Sequence, residues 1–134
     1  MKNKKNQKWR NIEMKVIYEN QVKGLGAFVE AFKEEKLFIL FGDNAPEELK
    51  DYTYHVSVNP INGKIAAGQY LQVDDREYKI LAVGEEAPVT LAGLGHCSFR
   101  FNGSDEVEMP GSINLENKEM PEVKVGTVIK IVEK

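Results

Sequence analysis

Short runs of alternating or wholly apolar residues, separated by glycine, proline and acidic turn positions, recur along the chain. That rhythm predicts strands in preference to helices. Residues 16–22 (VIYENQV) alternate, and Leu37–Phe41 (LFILF) is continuously apolar, as a central strand with two covered faces requires. Residues 52–58 (YTYHVSV) are aromatic and β-branched. Tyr70–Val73 and residues 78–83 flank Asp74-Asp75-Arg76-Glu77, a hairpin turn by composition. Residues 98–101 (SFRF), Ser112–Leu115 and residues 128–132 (VIKIV) complete the set. Helical signals are few. Residues 27–35 place Phe28, Ala31 and Phe32 on one face of two turns, and Pro46 before Glu47 and Glu48 reads as the N1 proline of a short helix. Residues 90–94 suit one more turn before Gly95. The expected fold is therefore all-β, a closed or nearly closed barrel or sandwich of seven or eight short strands with two or three short helices.

Composition bounds the rest. A chain of 134 residues fits one domain, which needs neither a disulfide nor a metal to close its core. The net charge of −3 argues against a nucleic-acid binder. Residues 1–10 run against that average, with lysines and an arginine but no acid, and residues 1–13 read as a basic extension to a domain spanning 14–134. A single cysteine, Cys97, excludes an internal disulfide framework and reads as a small buried residue. No apolar run reaches the length of a membrane span, so a cytoplasmic location without membrane insertion is expected.

Enzyme motifs of the usual kinds are missing: no GxxxxGK[ST], HExxH or GxSxG occurs. Gly24-Leu25-Gly26 reads as a turn, and the acids at Glu85-Glu86 and Asp105-Glu106 as solvated loop charges. The pair His55 and His96 has no metal-ligand spacing. Both remain as candidates for chemistry, because an imidazole nitrogen can act as a nucleophile near neutral pH. His55 shares a strand face with Thr53 and Ser57, opposite Tyr54 and Val56. His96 follows Leu94-Gly95 at the mouth of a strand, where the glycine leaves room for close approach.

Several ordered segments resemble one family: residues 14–18 (MKVIY), Phe41 followed by Ala45-Pro46, Asp51-Tyr52, Ala82-Val83-Gly84, Leu94-Gly95-His96, residues 99–103 (FRFNG), Pro110-Gly111 and a late Gly126. In order and spacing they are similar to the glucitol/sorbitol-specific enzyme IIA components of the bacterial phosphotransferase system. The resemblance implies a phosphoryl relay without a cofactor or metal. The phosphocarrier protein HPr would donate to a histidine, which would pass the group to the IIB domain of a IIB/IIC sugar permease. The family's acceptor histidine and a second histidine two residues later fall on Val56 and Val58. His55 stands one residue away, on the opposite strand face unless a bulge re-aims it. His96 matches the family's Leu-Gly-His position, and Arg100 shares its face parity and could balance phosphoryl charge. Two readings follow: a phosphoryl carrier using His96 or His55, or a non-catalytic regulatory or binding module that has lost the acceptor.

Overall fold

The computed structural model describes residues 14–134; the basic extension, residues 1–13, lies outside them. Nine strands form in chain order: β1 (Lys15–Gln21), β2 (Gly24–Leu25), β3 (Leu37–Phe41), β4 (Tyr54–His55), β5 (Tyr70–Val73), β6 (Arg76–Val83), β7 (Cys97–Arg100), β8 (Ser112–Leu115) and β9 (Val128–Glu133). They pair in the order β1-β9-β5-β6-β8-β7-β3-β4-β2. The two ends of that order are consecutive in the chain, joined by Val22 and Lys23 alone. A flat sheet would separate its outer strands by roughly eight spacings of about 4.8 Å. Two linking residues reach only about 10 Å. The sheet must therefore curl until its ends nearly meet, and the result is a curled half-barrel of strands, within the closed or nearly closed barrel or sandwich expected.

β6 is the corner. Its first half pairs with β5 through Tyr70↔Lys79 to Val73↔Arg76. Beyond a register shift between Ile80 and Ala82, its second half pairs with β8. The strand bends where the ladder is interrupted, which lets one strand serve both halves of the barrel. Alternate residues point inward: Phe38, Leu40, Leu71, Tyr78, Ile80, Phe99, Ile113, Leu115, Ile129 and Ile131 are buried in one core. At its centre Phe38 stacks on Phe99, with centroids 5.1 Å apart, and meets the edge of Tyr54 at 5.8 Å. Cys97 is buried as expected, and desolvation pushes its thiol up, away from reactivity.

Local expectations needed correction where tertiary contacts outweighed composition. Residues 27–35 do not form two α-helical turns. Only a 3-10 turn, Val29–Phe32, appears, with none of its residues buried. Phe28 and Phe32 instead approach the Tyr52 ring at 5.8 and 5.9 Å, so the segment never gains the buried face a short helix needs. Gly24-Leu25-Gly26 is not a turn: Gly24 and Leu25 are β2, paired with β4. Helix α1 (Glu47–Lys50) starts one residue later than read, with Pro46 as the extended N-cap residue. Helix α2 (Ala87–Leu94) is twice the expected turn and ends on Gly95 at φ +68°. The hairpin turn closes on Asp74 and Asp75 alone, and Arg76 already pairs with Val73.

The 52–58 segment contributes only two ladder residues. Leu40↔Tyr54 and Phe41↔His55 pair in parallel, and one further bond runs from the Val56 amide to the Phe41 carbonyl, 3.0 Å. The chain then crosses to β1, where the Asn20 side-chain Nδ2 donates to the Ser57 carbonyl at 2.7 Å. No register shift interrupts the β3–β4 ladder, so nothing re-aims His55.

Candidate histidine site

The register places the two histidines in one transverse row. Phe41 is opposite His55 on β4, and Gly24 is opposite His55 on β2. One position beyond the last β3–β7 pair, Leu40↔Cys97, the His96 ring stacks on Phe41 with centroids 4.2 Å apart and planes 24° from parallel. Residues in lateral register share a face. Phe41 thus stands between His96 and His55 on the side opposite Leu40, Tyr54 and Cys97, which turn into the core. Face parity alone predicted that His55 turns away from Tyr54 and Val56. The shared row with His96 required the parallel β3–β4 pairing.

Each imidazole is anchored to a backbone carbonyl, through different nitrogens. His96 Nδ1 lies 3.1 Å from the Leu40 carbonyl. A carbonyl only accepts, so Nδ1 carries the proton and the neutral ring bears its lone pair on Nε2. His55 makes the converse bond, Nε2 to the Lys50 carbonyl at 2.9 Å, which leaves its lone pair on Nδ1. That nitrogen packs against β2: a Cβ built on Gly24 would stand 3.0 Å from it. His96 Nε2 has no hydrogen-bond partner among the described residues, and its side chain is half-buried.

The backbone of His96 is held by α2. Its amide donates to the Thr90 carbonyl at 3.1 Å, and the Thr90 hydroxyl donates to the His96 carbonyl at 2.8 Å. Substituting Thr90 by valine keeps the side-chain shape and removes the second bond. Stability should fall by about 1 kcal/mol. Urea unfolding would show this, and an unchanged midpoint would mean that the reciprocal pair does not hold the loop. Gly42 completes the arrangement. Its amide donates to the Leu94 carbonyl at 2.9 Å, and a Cβ on Gly95 would stand 3.0 Å from the Gly42 nitrogen.

On the His55 side, Lys23, Gly24, Gly42, Asp43, Lys50 and His55 line an open hollow of about 420 Å³. Lys23 Nζ bonds Asp43 at 2.8 Å and approaches the Ser57 hydroxyl at 3.3 Å. Gly42 is the shared wall, touching this hollow on one side and the Leu94-Gly95 backbone on the other. Arg100 is directed elsewhere: its Nε donates to Ser112 Oγ at 3.2 Å, and it lines a separate hollow with Asn102, Glu106 and Glu108. No bond links it to His96 among the described residues. Val56 is fully buried, at 0% exposure. The acids Glu85, Glu86, Asp105 and Glu106 are exposed. Among the described residues no cluster of three or more His, Cys, Asp or Glu could hold a metal ion, and no helix is long and apolar enough to cross a membrane.

Sequence reasoning missed Phe41, Gly42, Thr90 and the two lysines as neighbours of the histidines. Gly42 directly after LFILF was a usable signal, since glycine closing an apolar strand often marks close backbone approach. The link between Thr90 and His96 had no such signal.

Comparison with known proteins bears on this arrangement. The family model described as PTS system glucitol/sorbitol-specific IIA component matches residues 17–130. The PTS system glucitol/sorbitol-specific EIIA components of Shigella flexneri and Escherichia coli (strain K12) are each 28% identical over 117 residues, covering 87% of this chain and 95% of the relative. The crystal structure of a PTS system IIA component from Enterococcus faecalis V583 superposes with a TM-score of 0.70 at 25% identity, covering 84% of this chain and 97% of that one. The curled barrel, the Leu94-Gly95-His96 corner and a match across most of its length agree: the chain belongs to the PTS system glucitol/sorbitol-specific IIA component family.

Proposed function

We propose that this chain is a cytoplasmic phosphoryl carrier of a sugar-uptake phosphotransferase system, accepting a phosphoryl group from HPr on His96 and passing it to a IIB domain of a IIB/IIC permease. The observation that carries this reading is the Nδ1–H bond of His96 to the Leu40 carbonyl, 3.1 Å, which fixes the Nε2 lone pair as the nucleophile. Nε2 attacks phosphorus in line as the bond from phosphorus to the donor breaks. The donor keeps the departing electron pair, and the proton stays on Nδ1, hydrogen-bonded to the Leu40 carbonyl, throughout. Stacking on Phe41 covers a ring face and leaves the in-plane approach to the nitrogen, so the geometry is paid for in folding rather than at each turnover.

The test is incubation with phosphoenolpyruvate, enzyme I and HPr, read by intact mass. A gain of one phosphoryl group that is lost in acid is the expected result. A second reading, a family module that binds partners without transfer, draws support from Val56, whose burial leaves no functional group at the position matching the family's acceptor. A wild-type chain that never labels, though HPr labels fully in the same tube, would establish that reading in place of the first.

A further inference from the structure

Arg100 and Asn114 are register partners on β7 and β8, and their neighbours Phe99 and Ile113 turn into the core. Both therefore lie on the outer face of the sheet. The loop 102–111 folds back over that face. Its Gly103 amide donates to the Leu115 carbonyl at 2.9 Å, and at its far end the Ser112 amide donates to the Met109 carbonyl at 3.1 Å. Between them Asn114 Nδ2 donates to the Ser104 and Glu106 carbonyls at 3.2 and 3.0 Å. Asn114 is thereby buried to 2% exposure, and a hollow of about 280 Å³ is left between loop and strands, with Arg100 and Asn114 in its wall.

The polar groups of that wall are only partly used. A carbonyl only accepts, so the two bonds from Nδ2 fix the orientation of the Asn114 amide. Its Oδ1 is left as a buried acceptor without a partner among the described residues, where buried polar atoms are almost always paired. Arg100 bonds through Nε alone, to Ser112 Oγ, and Asn102 through Oδ1 alone, to the Ser104 amide at 3.0 Å. The guanidinium Nη groups and Asn102 Nδ2 remain as donors. The exposed carboxylates of Glu106 and Glu108 line the same hollow, and among the described residues neither pairs with Arg100.

We infer that this hollow binds a small zwitterion, in its simplest form a free α-amino acid, independently of any chemistry at His96. The donors suit a carboxylate, which the guanidinium fork takes bidentately with Asn102 Nδ2 beside it. The acceptors suit an ammonium group, whose three N–H bonds match Asn114 Oδ1, Glu106 and Glu108. A simple anion would meet the two carboxylates, and a simple cation the guanidinium. A polyol brings donors and acceptors without charge, and charge-assisted bonds are about twice as strong as neutral ones. The volume lies just under the roughly 300–1,000 Å³ of drug-sized sites, which fits a molecule of amino-acid size.

The experiment titrates the isotope-labelled full chain with each common L-α-amino acid in turn, read by amide shifts in nuclear magnetic resonance. At least one should give saturable shifts at 100–114. Its N-acetyl derivative, which lacks the ammonium, and its carboxamide, which lacks the carboxylate, should each bind about tenfold or more weakly. Glu108→Gln should weaken the amino acid about tenfold without weakening the N-acetyl derivative. Arg100→Gln should weaken the amino acid at least as much without weakening the carboxamide. Thermal melting checks both folds, and Arg100→Lys, which keeps the charge and loses the fork, replaces the glutamine if that chain fails to fold. An absence of saturable shifts at 100–114 with every amino acid overturns the proposal. So does equal binding of the parent amino acid and its two derivatives, or sorbitol that binds at 100–114 as tightly as any amino acid.

Discussion

His96→Ala should lose acid-labile labelling by HPr, a drop of at least about 10³-fold in transfer rate, while His55→Ala labels at close to the wild-type rate. The contrast follows from which nitrogen each ring exposes. His96 donates through Nδ1 to Leu40 and presents Nε2; His55 donates through Nε2 to Lys50 and turns Nδ1 against Gly24. Phosphorus needs an in-plane approach to a lone pair, and β2 backbone stands beside the one on His55. His96→Asn separates chemistry from structure, because its Nδ2–H can take the place of Nδ1–H at the Leu40 carbonyl without supplying a nucleophile. That chain should fold like wild type and not label. Loss of labelling in His55→Ala with retention in His96→Ala would reverse the assignment and place the reaction in the hollow of Lys23 and Lys50.

The barrel was legible because its signals are local. LFILF predicted a central strand, and β3 pairs on both sides with both faces largely covered. Tyr70–Val73 and Ser112–Leu115 form strands where strands were expected. What failed was also local in form but settled by distant contacts. Phe28 and Phe32 have helical spacing, yet Tyr52 offers them an aromatic surface twenty or more residues away. Residues 52–58 have strand composition, yet the chain leaves β3 after one further bond because β1 and Asn20 bind its second half. The candidate site divided in the same way. Face parity predicted that His55 turns away from the core, and the Leu-Gly-His resemblance singled out His96. That both flank Phe41 depends on a parallel pairing between β3 and β4 across an intervening helix, which no pattern within either strand encodes.

Gly42→Ala should lower stability by about 3 kcal/mol and slow labelling of His96 in the same chain. Gly42 does not have a positive φ, so alanine can adopt its backbone conformation and the whole cost is steric. The added Cβ would lie 2.5 Å from the Leu94 carbonyl oxygen and 2.7 Å from Val58 Cγ2. Val58 is exposed and can rotate away. The Leu94 oxygen cannot, because it is backbone at the end of α2 and accepts the Gly42 amide at 2.9 Å. Relief therefore requires the last turn of α2 to shift. Leu94 and Gly95 lead directly into His96, whose ring is held by the Leu40 carbonyl and Phe41 on the strand that would stay in place. The shift pulls the imidazole from its anchor, which couples a packing change to the chemistry. Adding Val58→Ala should recover little of the loss, since it removes the softer of the two clashes. Urea unfolding should give a lower midpoint with an unchanged slope, the mark of a native-state effect. A midpoint matching wild type, or full recovery by Val58→Ala, would show that α2 does not press on Gly42 and that His96 is positioned independently of the helix.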